Sequence, residues 1–125
     1  MTQEEEKNLL LKDLCARLPY GVKIQVPYED GSGYFDETVW EVNNEGPFHV
    51  NGWGIEYEYV KPYLFSLSSM TEEQKKEYQY ITERWMNDPA YSISDSIDWL
   101  NKHHFDYRGL IEKGLAIDAT GLNVY

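Results

Sequence analysis

Residues 20–65 read YGVKIQVPYEDGSGYFDETVWEVNNEGPFHVNGWGIEYEYVKPYLF, and the alternation of apolar and polar side chains along this stretch decides the fold. Every second residue from Val22 to Val26 is apolar, which is the period of a half-buried β-strand. The same period returns between Trp53 and Tyr59, after the hairpin-forming dipeptide Asn51-Gly52. We therefore predict an antiparallel meander of four to five strands, which is also compatible with a small SH3-like barrel.

The individual strands of this predicted sheet are short and are separated by turns that contain glycine or asparagine. Pro62 is expected to end the last main strand, because proline cannot donate a ladder hydrogen bond. A further edge strand is predicted at Leu115–Ile117, and the last residues of the chain are expected to fray. The main strands are predicted at about 22–26, 34–42, 48–50 and 53–59.

Helical periodicity replaces the strand period on both sides of the sheet. Leucines between Leu10 and Leu18 recur at helical spacing, and Thr2 with Glu5 matches a capping box. Asp106 is expected to cap a short last helix that ends at a glycine. The prediction is a single α+β domain, 1–125, with C-terminal helices packed on the sheet; its helices are placed at 3–18, 71–86, 93–103 and 107–113.

Length and composition favour one compact domain. The chain has 125 residues with 42% hydrophobic side chains, enough for one core and too rich in apolar residues for a disordered chain. The sequence shows neither a secretory signal pattern nor a bilayer-spanning apolar run. Cys15 has no second cysteine to pair with, which fits a reducing compartment, and its place in the apolar stripe predicts a buried core thiol. We expect a cytoplasmic protein.

Acidic residues dominate the charge of the chain. The formal net charge is −11, and residues 20–65 carry −6, because eight carboxylates there face only Lys23 and Lys61. A negative field of this kind repels nucleic acids and anionic membranes, so neither is an expected partner. A basic surface of another protein is the better match. Solubility alone would also account for the charge.

One end of the predicted meander gathers aromatic and acidic residues. The first turn, residues 28–34, and the third turn, Asn51-Gly52, emerge at the same end of a meander. Aromatic faces next to carboxylates suit a cationic ligand through cation–π attraction and ion pairing. Completion of a small core by these aromatics, with a solvated acidic rim, is the structural alternative. The candidate partner-binding residues are Tyr28, Glu29, Asp30, Tyr34, Phe35 and Trp53.

Catalytic and metal-binding patterns are weak in comparison. His103 and His104 are adjacent, so on a helix they point about 100° apart and seldom bind one metal ion. The sequence contains no nucleophile elbow and no phosphate-binding loop. The segment Asp106–Gly114 offers Arg108 as a fork for a carboxylate, although pinning the C-terminal region to the core is its favoured role. We predict no metal site, no cofactor and no catalytic residue.

Three groups of segments along the chain have a recognisable pattern. They are Asp13–Gly21, Lys61–Leu64 with Ser68–Thr71, and Asp98–Asn101 with His104–Ala116. Together these segments resemble small proteins that are encoded in gut Bacteroidales genomes and in their phages and prophages. The resemblance covers both ends and the middle of the chain, and it is less clear between Lys23 and Tyr59. It implies an accessory gene, including one carried by a mobile element, and it implies no catalytic residue.

The functional hypothesis from the sequence is a non-enzymatic accessory protein that binds a cationic protein surface through its acidic, aromatic-rich sheet. One alternative is a DNA mimic, whose carboxylates stand in for phosphates against a defence nuclease or a regulator. A small hydrolase or transferase is the alternative from another class.

Overall fold

The computed structural model of this chain combines α-helices with a mixed β-sheet, which confirms the predicted α+β class. The structure describes residues 2–28, 30–43, 46–49, 60–87 and 93–125. The helices are α1 (Gln3–Arg17), α2 (Glu72–Asn87) and α3 (Ile93–Lys102). The strands are β1 (Lys23–Pro27), β2 (Tyr34–Asn43), β3 (Gly46–His49), β4 (Lys61–Ser66), β5 (Phe105–Asp106) and β6 (Ile117–Asp118).

The first three strands form the predicted antiparallel succession. β1 pairs with β2 through a register that opposes Val26 with Phe35, and β2 pairs with β3 across a register shift that follows Val39. The fourth predicted strand, 53–59, and its Asn51-Gly52 turn lie outside the described residues. The meander prediction therefore holds for β1 to β3.

The position of β4 corrects the prediction that Pro62 ends the sheet. Pro62 lies inside β4 and is opposed to Ile24 of β1, so that β4 joins the sheet next to the first strand. A proline fits here because the antiparallel pairing with β1 covers only residues 61–62, and a strand end tolerates the missing N–H.

Both short C-terminal strands pair with β4 in parallel, which makes the sheet mixed rather than purely antiparallel. The N–H of Phe65 donates to the carbonyl of His104, whereas the N–H of Ala119 donates to the carbonyl of Leu64. The Leu64 carbonyl and the Phe65 N–H belong to one peptide unit and point in opposite directions. β5 and β6 therefore lie on opposite edges of β4.

One face of the sheet packs on α1 and forms the main core. Ile24 and Val26 of β1 are fully buried on this face, and Lys23, Gln25 and Pro27 lie on the other. We call these the inner and the outer face. Burying a side chain of this size stabilises the fold by about 1.5–3 kcal/mol. The buried core residues are Leu10, Leu14, Val22, Ile24, Val26, Val39, Val60, Leu64, Leu110 and Ala116.

A second apolar cluster joins α3 to β5 and to one side of α2. Trp99 stacks on Phe105 with ring centroids 5.7 Å apart, and Tyr78 of α2 lies 5.5 Å from Trp99. None of the described side chains of α2 is fully buried, so α2 is held by half-buried contacts to α3.

The buried face of α1 differs from the predicted apolar stripe, and it leaves Cys15 exposed. The helix buries Leu10, Asp13, Leu14 and Arg17, a face on which the sequence places two charged residues. At 100° per residue, Cys15 lies well off the centre of that face. The prediction of a buried core cysteine is therefore wrong, because polar partners deeper in the fold turn the helix.

Residues 107–113 form a series of turns instead of the predicted helix. Asp106 is buried and belongs to β5, and its carboxylate accepts hydrogen bonds from the N–H groups of Leu110 (3.0 Å) and Ile111 (2.9 Å). The predicted capping role of Asp106 is thus present, but Gly109 adopts φ 74° and breaks the helical path at once.

The C-terminal residues dock onto the sheet, although they were expected to fray. The register of β1 against β4 makes Lys23 and Tyr63 the next opposed pair. At this position the Lys23 N–H donates to the Tyr125 hydroxyl (2.9 Å), which donates to the Tyr63 carbonyl (2.8 Å). The Tyr125 hydroxyl thus bridges the two strands where their direct pairing ends.

Within the described ranges, no helix combines the length and the apolar character that a membrane crossing requires.

Candidate functional site

The β1–β2 hairpin is the part of the predicted site that the structure describes best. The Tyr28 N–H donates to the Gly33 carbonyl (2.9 Å) and the Gly31 N–H to the Tyr28 carbonyl (3.1 Å), which closes the loop between the strands. Gly31 has φ 75°, a conformation that favours glycine. The Asp30 carboxylate accepts from the Ser32 N–H at 2.9 Å and fixes the tip of the turn.

Aromatic residues of the hairpin lie at the same end of the sheet but on opposite faces. Tyr28 continues the inner face and contacts Phe35, with ring centroids 5.1 Å apart. Tyr34 is opposed to Pro27 and lies on the outer face. The side chains of Tyr28 and Tyr34 are 48% and 64% exposed. The structure thus offers two exposed tyrosines that flank an acidic turn, rather than one aromatic cluster.

Asp30 and Asp36 of this hairpin accept hydrogen bonds from neutral groups. Asp36 lies on the outer face and accepts from the Tyr63 hydroxyl at 2.5 Å, and Gln25 donates to the same hydroxyl at 3.2 Å. Burial raises the pKa of Tyr63, and its hydrogen bond to Asp36 adds to the rise. The hydrogen bonds from Ser32 lower the pKa of Asp30, which keeps this exposed carboxylate charged.

Lys23, one of the two lysines in residues 20–65, is turned toward the C-terminal segment instead of the hairpin acids. Its Nζ donates to the Val124 carbonyl at 2.6 Å and lies 5.9 Å from the centre of the Tyr125 ring. Lys23 is therefore engaged away from Asp30 at the hairpin tip. Two further predicted site residues, Glu29 and Trp53, lie outside the described residues.

Arg108 has the structural role that the sequence favoured. Its Nη1 donates to Asp13 (2.9 Å) and to the Tyr107 hydroxyl (2.8 Å), and its guanidinium lies over the Tyr107 ring at 4.5 Å. A guanidinium engaged in this way is not presented to a partner.

The two adjacent histidines point to different neighbours. His103 lies against Trp99 with ring centroids 4.4 Å apart, whereas His104 stacks on Tyr125 at 3.8 Å. In the described part of the chain, no group of three histidine, cysteine or carboxylate side chains is placed to hold a metal ion.

Sequence reasoning missed a buried charged cluster between α1 and the C-terminal region. Asp13 and Arg17 are fully buried and paired at 2.9 Å, and Asp13 also forms an ion pair with Arg108. Arg17 further donates to the Phe105 carbonyl at 2.6 Å, which ties α1 to β5. The available signal was an acid and a base four residues apart, on a helix with leucines on both sides of them.

An open groove of about 270 Å³ lies between α2 and α3. Trp99 at its floor donates from Nε1 to Glu77 of α2 at 3.0 Å, so its polar atom serves helix packing. Carboxylates and cations share the rim of the groove, which gives it no dominant charge. It is lined by Ile81, Arg84, Asp95, Asp98, Trp99 and Lys102.

Comparisons with protein-family models, with curated proteins and with solved structures found no match to this chain.

Proposed function

We propose that this protein is a non-enzymatic binding protein that recognises a basic surface of a partner protein through the acidic tip of the β1–β2 hairpin. The observation that carries the proposal is the placement of a charged, fully exposed Asp30 between the exposed Tyr28 and Tyr34. A lysine or arginine of a partner can pair with the carboxylate and lie over a tyrosine ring.

The charge distribution supports the hairpin over the other exposed aromatic surface of the protein. Between Lys23 and Lys61 the sequence contains eight carboxylates and no lysine or arginine. On α2, by contrast, the exposed Tyr80 already has Arg84 over its ring at 5.2 Å, and Lys75 pairs with Glu72 at 3.4 Å. The α2 surface supplies its own cations, and the hairpin tip lacks them in its sequence.

Neither the DNA mimic nor the hydrolase or transferase is supported by a comparable observation. A DNA mimic requires carboxylates in a row on one face, whereas Asp36 and Glu37 are consecutive in β2 and lie on opposite faces. A hydrolase or transferase requires convergent polar groups in a cleft, and the groove between α2 and α3 places its Trp99 nitrogen on Glu77.

The experiment that tests the proposal is affinity capture from the native cell with quantitative mass spectrometry. The test variant is Tyr28→Ser/Asp30→Asn/Tyr34→Ser, and the matched control on α2 is Glu73→Gln/Tyr80→Ser. We expect the wild type and the control to retain the same basic partner and the hairpin variant to lose it.

Binding of the purified partner then gives the quantitative test. Because exposed charges are screened by salt, we expect the affinity to fall as NaCl rises from 50 to 300 mM. Retention of the partner by a folded hairpin variant, or a partner without a basic surface, would refute the proposal.

A further inference from the structure

The aromatic stack of His104 on Tyr125 joins the C-terminal segment, residues 119–125, to the sheet. The two rings are nearly parallel, with an interplanar angle of 12° and centroids 3.8 Å apart. Phe65 contacts Tyr125 from β4 at 5.9 Å. The ring of Tyr125 is therefore held by aromatic neighbours, while its hydroxyl bridges Lys23 and Tyr63.

His104 is fixed on its own side of the stack. Its N–H donates to the Asn101 carbonyl at 3.1 Å, and its carbonyl accepts from the Phe65 N–H at 2.8 Å. Its backbone has φ 61°, and its side chain is buried. Among the described residues, nothing forms a hydrogen bond with its Nδ1. The Nδ1 atom is excluded from water while Tyr125 lies on the ring.

The charges around His104 disfavour an imidazolium. Burial has the largest effect, and Arg17, His103 and Lys23 add to it, so that the pKa of His104 is lowered to about 4. The carboxylates of the surrounding elements are already engaged: Asp13 pairs with Arg17 and Arg108, Asp36 accepts from Tyr63, and Asp106 accepts from two backbone N–H groups. Tyr63 and Tyr125 are the titratable phenols nearby.

We propose that His104 and Tyr125 form a pH-sensitive latch, in which protonation of the imidazole releases the C-terminal segment from the sheet. An imidazolium at this position would lie near Arg17 and Lys23, and its Nδ1 has no hydrogen-bond acceptor among the described residues. Beyond Ala119 the segment is joined to the sheet by the Tyr125 contacts and by the Lys23 bond to Val124. The proposal is independent of the basic partner.

The direction of the pH effect follows from linkage. In the closed state, in which Tyr125 lies on His104, the imidazole binds a proton only near pH 4. An exposed imidazole binds one near pH 6.5. Opening is therefore unaffected above about pH 7 and increases as the pH falls toward 4, by roughly a hundredfold in total. Release would uncover Phe65 and Tyr63 on the outer face of the sheet.

The decisive experiment is an NMR titration of the histidine ring carbons in the full chain between pH 8 and pH 5.5. Linkage is reciprocal, so a segment that opposes protonation must raise the pKa of His104 when it is removed. We expect His104 to remain unprotonated over this range in the wild type and to titrate in the Tyr125→Ala variant with a midpoint above pH 5.5.

Two controls separate the latch from a general loss of structure. The amide chemical shifts of α3 report on the fold next to the latch and are expected to be alike in both proteins. Leu122→Ala, in the same segment but at an exposed side chain, is expected to leave His104 unchanged.

The Tyr125→Phe variant separates the contribution of the ring stack from that of the hydroxyl hydrogen bonds. It keeps the ring stack and removes both hydroxyl hydrogen bonds, so we expect a His104 midpoint between those of the wild type and Tyr125→Ala. The latch is refuted if His104 in a folded Tyr125→Ala protein still fails to titrate above pH 5.5. It is equally refuted if wild-type His104 titrates near pH 6.5 while residues 119–125 stay ordered.

Discussion

Asp13 is the residue on which the buried polar organisation of this protein depends. Its two carboxylate oxygens accept from Arg17 and from Arg108, both at 2.9 Å, and its side chain is excluded from water. Tyr107 lies next to both guanidinium groups, at 5.3 Å from Arg17 and 4.5 Å from Arg108. One carboxylate thus serves two cations that belong to distant parts of the sequence.

The first prediction concerns the loss of that carboxylate charge. We expect Asp13→Asn to lower the free energy of unfolding by about 3–5 kcal/mol, because it leaves the Arg17 guanidinium buried without a counterion. Urea denaturation at pH 7 measures the change. The control Glu4→Gln removes an exposed acid of the same helix and is expected to cost less than about 1 kcal/mol. A similar small cost for Asp13→Asn would contradict this account of the cluster.

His104 supports a second prediction at the same scale. Its pKa is lowered to about 4 in the folded protein, so the unfolded chain takes up a proton near pH 6.5 that the folded protein does not. Stability is therefore fully present above about pH 7 and is lost as the pH falls toward 4. Between pH 8 and pH 5 we expect a loss of about 2 kcal/mol from this residue.

The measurement is the difference in pH dependence between the wild type and His104→Asn, by urea denaturation at both pH values. Asparagine tolerates the left-handed backbone of residue 104 and does not titrate. Parallel pH profiles for the two proteins would show that His104 is not the group responsible.

At the scale of elements, the predicted capping box opens α1 and a second capping box opens α2, and the two differ in how they are completed. At the start of α2, the Gln74 N–H donates to Thr71 Oγ1 (3.1 Å) and the Thr71 N–H donates to the Gln74 side chain (2.9 Å). At the start of α1, the Glu5 N–H donates to Thr2 Oγ1 at 3.2 Å, and the Thr2 hydroxyl donates to the Glu5 carboxylate. Only the box at the start of α2 is reciprocal, because each of its two residues donates its backbone N–H to the side chain of the other.

The third prediction compares these two caps. We expect Thr71→Ala to destabilise the protein by about 1 kcal/mol, because the first turn of α2 loses its acceptor. We expect Thr2→Ala to cost less, because the α1 box is exposed and the Glu5 side chain does not accept from the Thr2 N–H. Thermal unfolding followed by circular dichroism measures both variants. An equal or reversed order would contradict the prediction.

At the scale of the whole molecule, charge is unevenly distributed. The net charge is −11. The longest stretch of sequence without a lysine or arginine lies between Lys23 and Lys61, and it contains eight carboxylates. By contrast, α2 contains four acids and three bases in sixteen residues. Like charges concentrated in one region oppose the compact state.

The fourth prediction follows from this repulsion. We expect the urea midpoint to rise when NaCl is increased from 10 to 100 mM, because the screening length falls from about 30 Å to about 10 Å. The Asp30→Asn variant, with one acid fewer at the hairpin tip, is expected to show a weaker dependence. A midpoint that falls with salt would mean that favourable ion pairs outweigh the repulsion.

The sequence by itself determined the elements whose signal is local. Alternation within Val22–Val26 and the glycines of residues 28–34 predicted β1, β2 and their turn, because side-chain period and turn chemistry are properties of a few neighbouring residues. The starts of α1 and α2 were predicted within one residue for the same reason. For the candidate site, the sequence predicted the turn at residues 28–34, and Asp30 is exposed in that turn.

Only the tertiary structure decided which distant groups meet. The parallel pairing of β4 with β5 and β6, the ion pair of Asp13 with Arg108 and the docking of Tyr125 between Lys23 and Tyr63 all join residues at least 40 positions apart. Local pattern carries no information on such pairs. Buried polar groups must find partners wherever the fold offers them, and α1 accordingly buries Asp13 and Arg17 and leaves Cys15 exposed.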